Sequence, residues 1–257
     1  MKRLKKLIFV LLDGLNNKQS NLMGYMNALV KSGLAIRGRV SSEMPSLSRP
    51  LYETLLTGKT PVEHGVVNNS ISRLSREESV FSLCRKANLK TGAAAYYWVS
   101  ELYNSTPFNR IEDTYTEDSD KNIQHGIFYT LDHYPDENVF LDGEYIRRKS
   151  NPDFLMIHSM NIDDKGHKNG SESSQYRNAV RNVDGILSNF VPRWIEEGYT
   201  IIVTSDHGMS YDGNHSGSAE EEAEVPFWLI NSSEMVEAID PIPQVKITEI
   251  MRKILNI

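Results

Sequence analysis

A second cysteine is missing from the 257-residue chain, so Cys84 has no internal partner and nothing demands an oxidising compartment. Basic runs are equally scarce. The longest cluster is Lys2-Arg3-Lys5-Lys6, set against a net charge of −6. That balance argues against a dedicated binder of nucleic-acid polymers, whose affinity comes from clustered Lys and Arg. No stretch approaches the roughly twenty apolar residues a membrane span needs. The start MKRLKK-LIFVLL imitates a signal peptide, yet its apolar run is shorter than the roughly seven to fifteen residues of a signal core. It also ends at Asp13 with no small-residue cleavage site, so the sequence predicts cytoplasmic residence. Repeats and low-complexity linkers are absent too. Hydrophobic residues at 39% and charged residues at 24% exclude a disordered, collagen-like or coiled-coil chain. The length suits one large domain over 1–257.

Periodicity places the elements. Leu7–Leu12 is continuously apolar without alternation, as a strand buried on both faces of a parallel sheet is. A helical stretch over Gln19–Lys31 stops at Gly33, a strand is predicted over Ala35–Val40, and Pro45–Pro50 reads as a loop. Ser75-Arg76-Glu77-Glu78 has the form of a capping box opening a helix to about Ala87, followed by a strand over Thr91–Trp98. Strands at Phe154–His158 and Thr200–Thr204 flank a helix over Ser173–Glu197, and Pro226–Ile230 reads as one more strand. Ile247, Ile250, Met251 and Ile254 give the last helix an apolar stripe. The fold class is α/β. Residues 100–136, less regular and rich in Tyr, Asn, Asp and Glu, form either a small cap over a site or a solvated surface excursion.

In open α/β sheets ligands bind beyond the carboxyl ends of strands, and four polar clusters sit there. These are Asp13, Asp163-Asp164-Lys165-Gly166-His167, Asp206-His207-Gly208 and His215. A lone Asp at a strand end is usually a turn former, and a lone His usually a satisfied structural residue. Their coincidence supplies Asp13, Asp163, Asp206, His167, His207 and His215 as a ligand set suited to zinc or manganese.

The chain resembles the alkaline phosphatase superfamily, and within it the type I phosphodiesterase/nucleotide pyrophosphatase branch. The likeness lies in LLDG, PSLSRPLYETLLTGKTPVEHGVVNN, DDKGH, and SDHGM followed by GNH. It implies an alkaline-phosphatase-like sandwich with a central, mostly parallel sheet flanked by helices. It also implies two divalent metal ions, zinc with manganese as the alternative. One would be held by Asp13, Ser48, Asp206 and His207, the other by Asp163, His167 and His215.

Ser41, Ser42, Ser46 and Ser48 all lie near the nucleophile position, and family spacing selects Ser48. Pro50 then suits a first helical turn, which would aim backbone N–H groups at the site. The competing reading of Ser48 is a helix N-cap. Asn69 matches an asparagine that binds a phosphoryl oxygen in the branch; a turn residue is the alternative. Leu51-Tyr52 departs from the branch, which commonly has Asn-His there. Sulfatases need an Arg two residues after the proline of their motif, where Ser48-Arg49-Pro50-Leu51-Tyr52 has Tyr52.

Implied is a phosphoric ester hydrolase, a phosphodiesterase or nucleotide pyrophosphatase working through a phosphoserine on Ser48, with a small phosphoester or nucleotide-like substrate. Only Arg110 and Lys121 stand where monoesterases carry a Lys-x-Lys or Lys-x-Arg pair, which favours a diester. Tyr96-Tyr97-Trp98 resembles the aromatic stretch beside the pocket of nucleotide pyrophosphatases, or else enters the core as a strand. His64 reads as structural, and His125, His133 and His158 have no motif. A phosphomonoesterase, phosphonate hydrolase or phosphomutase of the superfamily, and a non-catalytic metal-binding relative, are the competing readings.

Overall fold

The first strand explains why its sequence has no alternation. In the computed structural model of the protein, which describes residues 6–232 and 240–257, β1 (Lys6–Leu12) lies in the middle of the sheet with helices on both faces. Leu7, Phe9 and Leu11 point into one core, and Ile8, Val10 and Leu12 into the other. Each fully buried side chain of this size contributes roughly 1.5–3 kcal/mol. Lys2, Arg3 and Lys5 lie outside the described residues.

After a 3₁₀ turn at Gln19–Leu22 come α1 (Gly24–Lys31), β2 (Ala35–Ser41), α2 (Ser48–Thr57), α3 (Pro61–His64), α4 (Val80–Lys86), β3 (Thr91–Tyr96) and α5 (Tyr97–Tyr103). The middle of the chain supplies β4 (Tyr115–Glu117), β5 (His125–Tyr129), α6 (Asp136–Ser150), β6 (Phe154–Ser159), α7 (Asn161–Asn169) and α8 (Ser174–Glu196). It ends with β7 (Tyr199–Thr204), α9 (Glu220–Ala223), β8 (Glu224–Ile230), β9 (Ile242–Pro243) and α10 (Lys246–Leu255). Among the described residues the strands form one 9-stranded sheet in the order β4-β5-β3-β6-β1-β7-β8-β2-β9. The run from β5 to β7 is parallel and β4 and β8 run antiparallel to it, whereas β2, antiparallel to β8, returns to the direction of the central strands with β9 parallel beside it. The expected α/β class and mostly parallel central sheet flanked by helices are therefore observed.

Local assignments differ in four places. The capping box that opens α4 is Ser79 with Ser82, not Ser75 with Glu78, and Ser75 instead gives its hydroxyl to Glu53 Oε1 at 2.7 Å. The β3 strand stops at Tyr96, so Trp98 lies on a helix. The helical stretch after β1 breaks at Met23 between the 3₁₀ turn and α1. Ser48 is the first helical residue, and the N-cap is Leu47, which has no side-chain cap. Residues 100–136 supply the end of α5 together with β4 and β5 at the sheet edge.

Asp136, at the start of α6, accepts the N–H of Asn161 at the start of α7, 3.3 Å away. Burial pushes its carboxyl up to about 7 from 3.8, with that hydrogen bond pulling the other way. The folded chain therefore holds an extra proton between those two values. This residue's contribution to stability is complete below the lower pKa and is lost as pH rises through the upper one. Asp136→Asn keeps the acceptor without the charge. Urea unfolding is expected to find it about 1–3 kcal/mol more stable than wild type at pH 8, and equal near pH 4. A constant difference across that range would refute the account.

Candidate active site

Adjacent strand ends assemble the site. In register, Leu11 faces Thr204 on β7 and Leu12 faces Ser159 on β6, so the residues that follow these three strands leave the sheet together. Asp13 follows β1, and Asp206 and His207 follow β7. Asp163 and His167 lie one turn apart on α7, and His215 comes from the loop before α9. The loops are sewn to one another: Leu15 N–H donates to Ser205 Oγ at 3.0 Å, and Asn16 Nδ2 to the Met209 carbonyl at 2.9 Å. Gly14, at φ +73°, passes so close to α7 that a Cβ on it would lie 2.8 Å from Asp163 Cα. A Cβ on Gly208 would sit 2.1 Å from the Glu221 carbonyl oxygen, which accounts for the Gly of Asp-His-Gly.

The predicted ligands fall into two groups, Asp13/Asp206/His207 and Asp163/His167/His215, each with ligand atoms within 4.8 Å of one another. His207 Nε2 is 3.4 Å from Asp13 Oδ1, 3.3 Å from Asp206 Oδ2 and 3.1 Å from Ser48 Oγ. In the second group His167 Nε2 lies 3.4 Å from Asp163 Oδ2 and 3.2 Å from His215 Nε2. The rings of His207 and His215 stack at 3.6 Å. All these side chains are buried except His167, which is 48% exposed.

Hydrogen bonding decides what the set can hold. Each histidine has Nδ1 against a backbone carbonyl, which only accepts: His207 on Gly208 O at 2.9 Å, His215 on Ser46 O at 2.7 Å, and His167 on Gly213 O at 2.9 Å. The proton therefore sits on Nδ1, and each Nε2 turns a lone pair inward. Asp13 Oδ1, Asp163 Oδ1 and Asp206 Oδ2 are buried without a donor. Facing one another are thus only acceptors, a state that cations resolve. Burial and the neighbouring carboxylates hold Asp163 and Asp206 far above the usual carboxyl range, and burial lowers His207 to about 3. These residues fit two divalent cations.

Asp13 is oriented by two residues that sequence reasoning passed over. His158 Nε2 lies 3.0 Å from Asp13 Oδ2, and the Tyr52 hydroxyl donates to the same oxygen. Burial pushes Asp13 up, but these contacts and the nearby imidazoles outweigh it and hold the carboxyl near 2. His158 had no motif, yet an imidazole inside a continuously apolar strand needs a polar partner. Tyr52 departs from the family motif, yet it stands one helical turn after Ser48 on the same face of α2.

Ser48 is the serine at the cluster. Ser42 Oγ donates to the Asp206 carbonyl at 2.7 Å, and Ser46 serves His215 through its carbonyl. The N-cap reading of Ser48 is not realised. Expected helix donors are mostly spent: Arg49 N–H goes to Asn69 Oδ1 at 3.1 Å, Pro50 has none, and Leu51 N–H closes on Leu47. That bond aims the remaining Asn69 donor, Nδ2, which has no partner among the described residues. Arg49 itself is buried, paired with Glu101 at 2.8 Å and stacked over Trp98 at 4.6 Å. Trp98 packs on Tyr96, 5.1 Å between ring centroids, as part of an aromatic wall. Arg110 is exposed, and Lys121 binds Asn104 O and Ser105 Oγ. His64 is structural, between Thr54 Oγ1 and the Val66 N–H.

A family model described as type I phosphodiesterase / nucleotide pyrophosphatase matches residues 7–215. Among curated proteins, GPI ethanolamine phosphate transferase 2 of Kluyveromyces lactis is 24% identical over 85% of this chain and 28% of its own length. The human GPI ethanolamine phosphate transferase 2 catalytic subunit is 25% identical over 89% and 23%. The chain thus spans about a quarter of the length of these relatives. In fold it is similar to murine ectonucleotide pyrophosphatase / phosphodiesterase 5, solved in an inactive form with AMP, at 13% identity and TM-score 0.76 over 98% of this chain and 95% of that one. TAB5 alkaline phosphatase follows at 14% identity and TM-score 0.63, covering 99% of each chain.

Without cations the three donorless carboxylates repel, so the metal-free protein is destabilised by them. Asp206→Asn keeps the acceptor for Gly14 N–H and should stabilise the chelated protein by about 1–3 kcal/mol. At a hundredfold excess of zinc over Kd, wild type should gain about 3 kcal/mol and the variant less. Thermal unfolding with and without chelator, alongside metal content, checks both; a chelated wild type as stable as Asp206→Asn would sink the cation reading.

Proposed function

The chain belongs to the type I phosphodiesterase / nucleotide pyrophosphatase family, and on that premise we propose that it is a metal-dependent phosphoric ester hydrolase that acts on phosphodiesters through Ser48. The observation that carries this is the Ser48 hydroxyl, 3.1 Å from His207 Nε2 at the edge of the inward-facing acceptors. Asp13, Asp206, His207 and Ser48 would hold one divalent cation, and Asp163, His167 and His215 the other. When bound, the ions would supply the positive charge that lowers the cost of ionising the serine and of releasing the departing oxygen.

The chain's own groups do the rest. Ser48 Oγ attacks phosphorus in line as its proton passes to solvent, an O–P bond forms as the bond to the leaving alcohol breaks and that alcohol takes up a proton, and Ser48 is left esterified to the phosphoryl group, which keeps the substrate's other arm. Asn69 Nδ2, aimed by the Arg49 N–H, holds a non-bridging oxygen. Tyr52 and His158 keep Asp13 in one orientation through both steps. Water then attacks from the opposite side and frees Ser48, and two inversions give net retention. A diester is favoured because the nearby basic groups are engaged: Arg49 with Glu101, and Lys165 and Lys168 with Asp164. A second reading has an alcohol take the place of water as final acceptor. The names of the curated relatives, which are ethanolamine phosphate transferases, favour it.

Bis(p-nitrophenyl) phosphate should be turned over faster than p-nitrophenyl phosphate by the zinc-loaded protein. Ser48→Ala should lower that rate by roughly a thousandfold or more while metal content stays the same, and Ser48→Thr should retain more activity. An active Ser48→Ala protein removes the covalent step, and a preference for the monoester removes the diester assignment. Addition of glycerol to the assay separates the two acceptors, since a transferase forms glycerol phosphoesters at the expense of hydrolysis.

A further inference from the structure

The segment after β9 reaches the candidate ligands through one side chain, that of Gln244. This residue lies beyond residues 7–215, the span that the family model matches, and it is completely buried. Its place is set at the sheet edge. Ile242 and Pro243 of β9 pair with Val40 and Ser41 of β2, and the Gln244 N–H then donates to the Ser41 carbonyl at 3.0 Å. Gln244 stands two residues before α10, yet its amide does not cap that helix. Instead Nε2 donates to the Asp206 carbonyl at 2.6 Å, and Oε1 accepts the Glu43 N–H at 3.0 Å. A buried amide is costly unless both its ends are bonded, and here both are met. One partner needs a donor and the other an acceptor, which suits an amide and fixes the way it points.

The Asp206 carbonyl accepts a second bond, from Ser42 Oγ at 2.7 Å, so both its lone pairs are taken. That carbonyl belongs to the peptide joining Asp206 to His207, adjacent residues that supply two members of the first ligand group. Pinning it fixes the directions in which both side chains leave the backbone. The following peptide is held as well, since the Ser205 hydroxyl donates to the His207 carbonyl at 2.7 Å. Residues 41–46 extend the effect. They meet the Gln244 amide through Glu43, clamp Asp206 through Ser42, set the Ser46 carbonyl against His215 Nδ1 at 2.7 Å, and lead into Ser48.

We infer that Gln244 is a positioning residue of the metal centre. With Ser42 it locks the Asp206–His207 peptide so that Asp206 Oδ2 and His207 Nε2, 3.3 Å apart, face one cation. The inference rests on the reading of the cluster as a two-cation site, and it extends that site into residues 240–257. Partners of this kind leave the ligand set intact and act on its affinity.

The test is competition for zinc between the full chain and a chromophoric chelator, read without substrate. Gln244→Met keeps the length of the side chain but neither hydrogen bond, and it should weaken one of the two bound zinc ions by roughly ten- to a hundredfold. Thr248→Val is the control, because the Thr248 hydroxyl donates to the Leu55 carbonyl at 2.8 Å from the same buried segment and not to a ligand residue. It should lower thermal stability and leave zinc affinity at the wild-type value. An equal weakening in Thr248→Val would make the effect one of general loosening and overturns the inference. Where Gln244→Met does not fold, Ser42→Ala carries the test by removing the other donor to the same carbonyl. It should weaken zinc several-fold, and an unchanged affinity overturns the inference. A wild-type chain that takes up no zinc overturns the two-cation reading together with this inference, whereas zinc held equally by wild type and Gln244→Met overturns the inference alone.

Discussion

Three buried carboxylates and three inward lone pairs cannot share one corner of a protein without positive charge among them, and much of the structure serves that requirement. The parallel order β6-β1-β7 delivers Asp163, Asp13 and Asp206 to one place. Three backbone carbonyls fix the histidine tautomers so that every Nε2 turns the same way. Tyr52 and His158 spend one oxygen of Asp13 and leave the other free for the centre. Such outer partners set ligand orientation, and their loss costs affinity without removing a ligand.

Elements with an unambiguous period were legible from residue order alone. The β1, β6 and β7 strands read as apolar runs because both faces are covered, and α10 reads as a helix because its stripe meets a single core. Errors arose where two local signals compete. Ser75 and Ser79 both begin acceptable boxes, and only the tertiary bond from Ser75 to Glu53 decides between them. Thr91–Trp98 continues apolar through a strand-to-helix junction, since Trp98 packs beside Arg49 rather than in the sheet. The short β4 and β5 strands have no pattern of their own, because an edge pairing stabilises them.

Legibility of the site followed the same rule. The residues expected as ligands sit in compact motifs, and the structure brings them together in two groups. A residue whose role depends on a neighbour across the sheet was missed: His158 acts on Asp13 from the next strand. The expectation of free helix amides at Ser48 overlooked that one of them is transferred to Asn69, which turns a backbone donor into a side-chain one.

Gly14 bears on how such a site can diversify. Its main chain lies directly against the Cα of Asp163, so the interval between the two ligand groups is set by backbone contact and not by any replaceable side chain. That interval works as a ruler cut into the scaffold. Asn69 lies in a loop, Tyr96 at the end of β3 and Trp98 on α5, and none of them takes part in that contact. Side chains around the rim can therefore change while the gauge between the two groups of Asp and His residues stays constant.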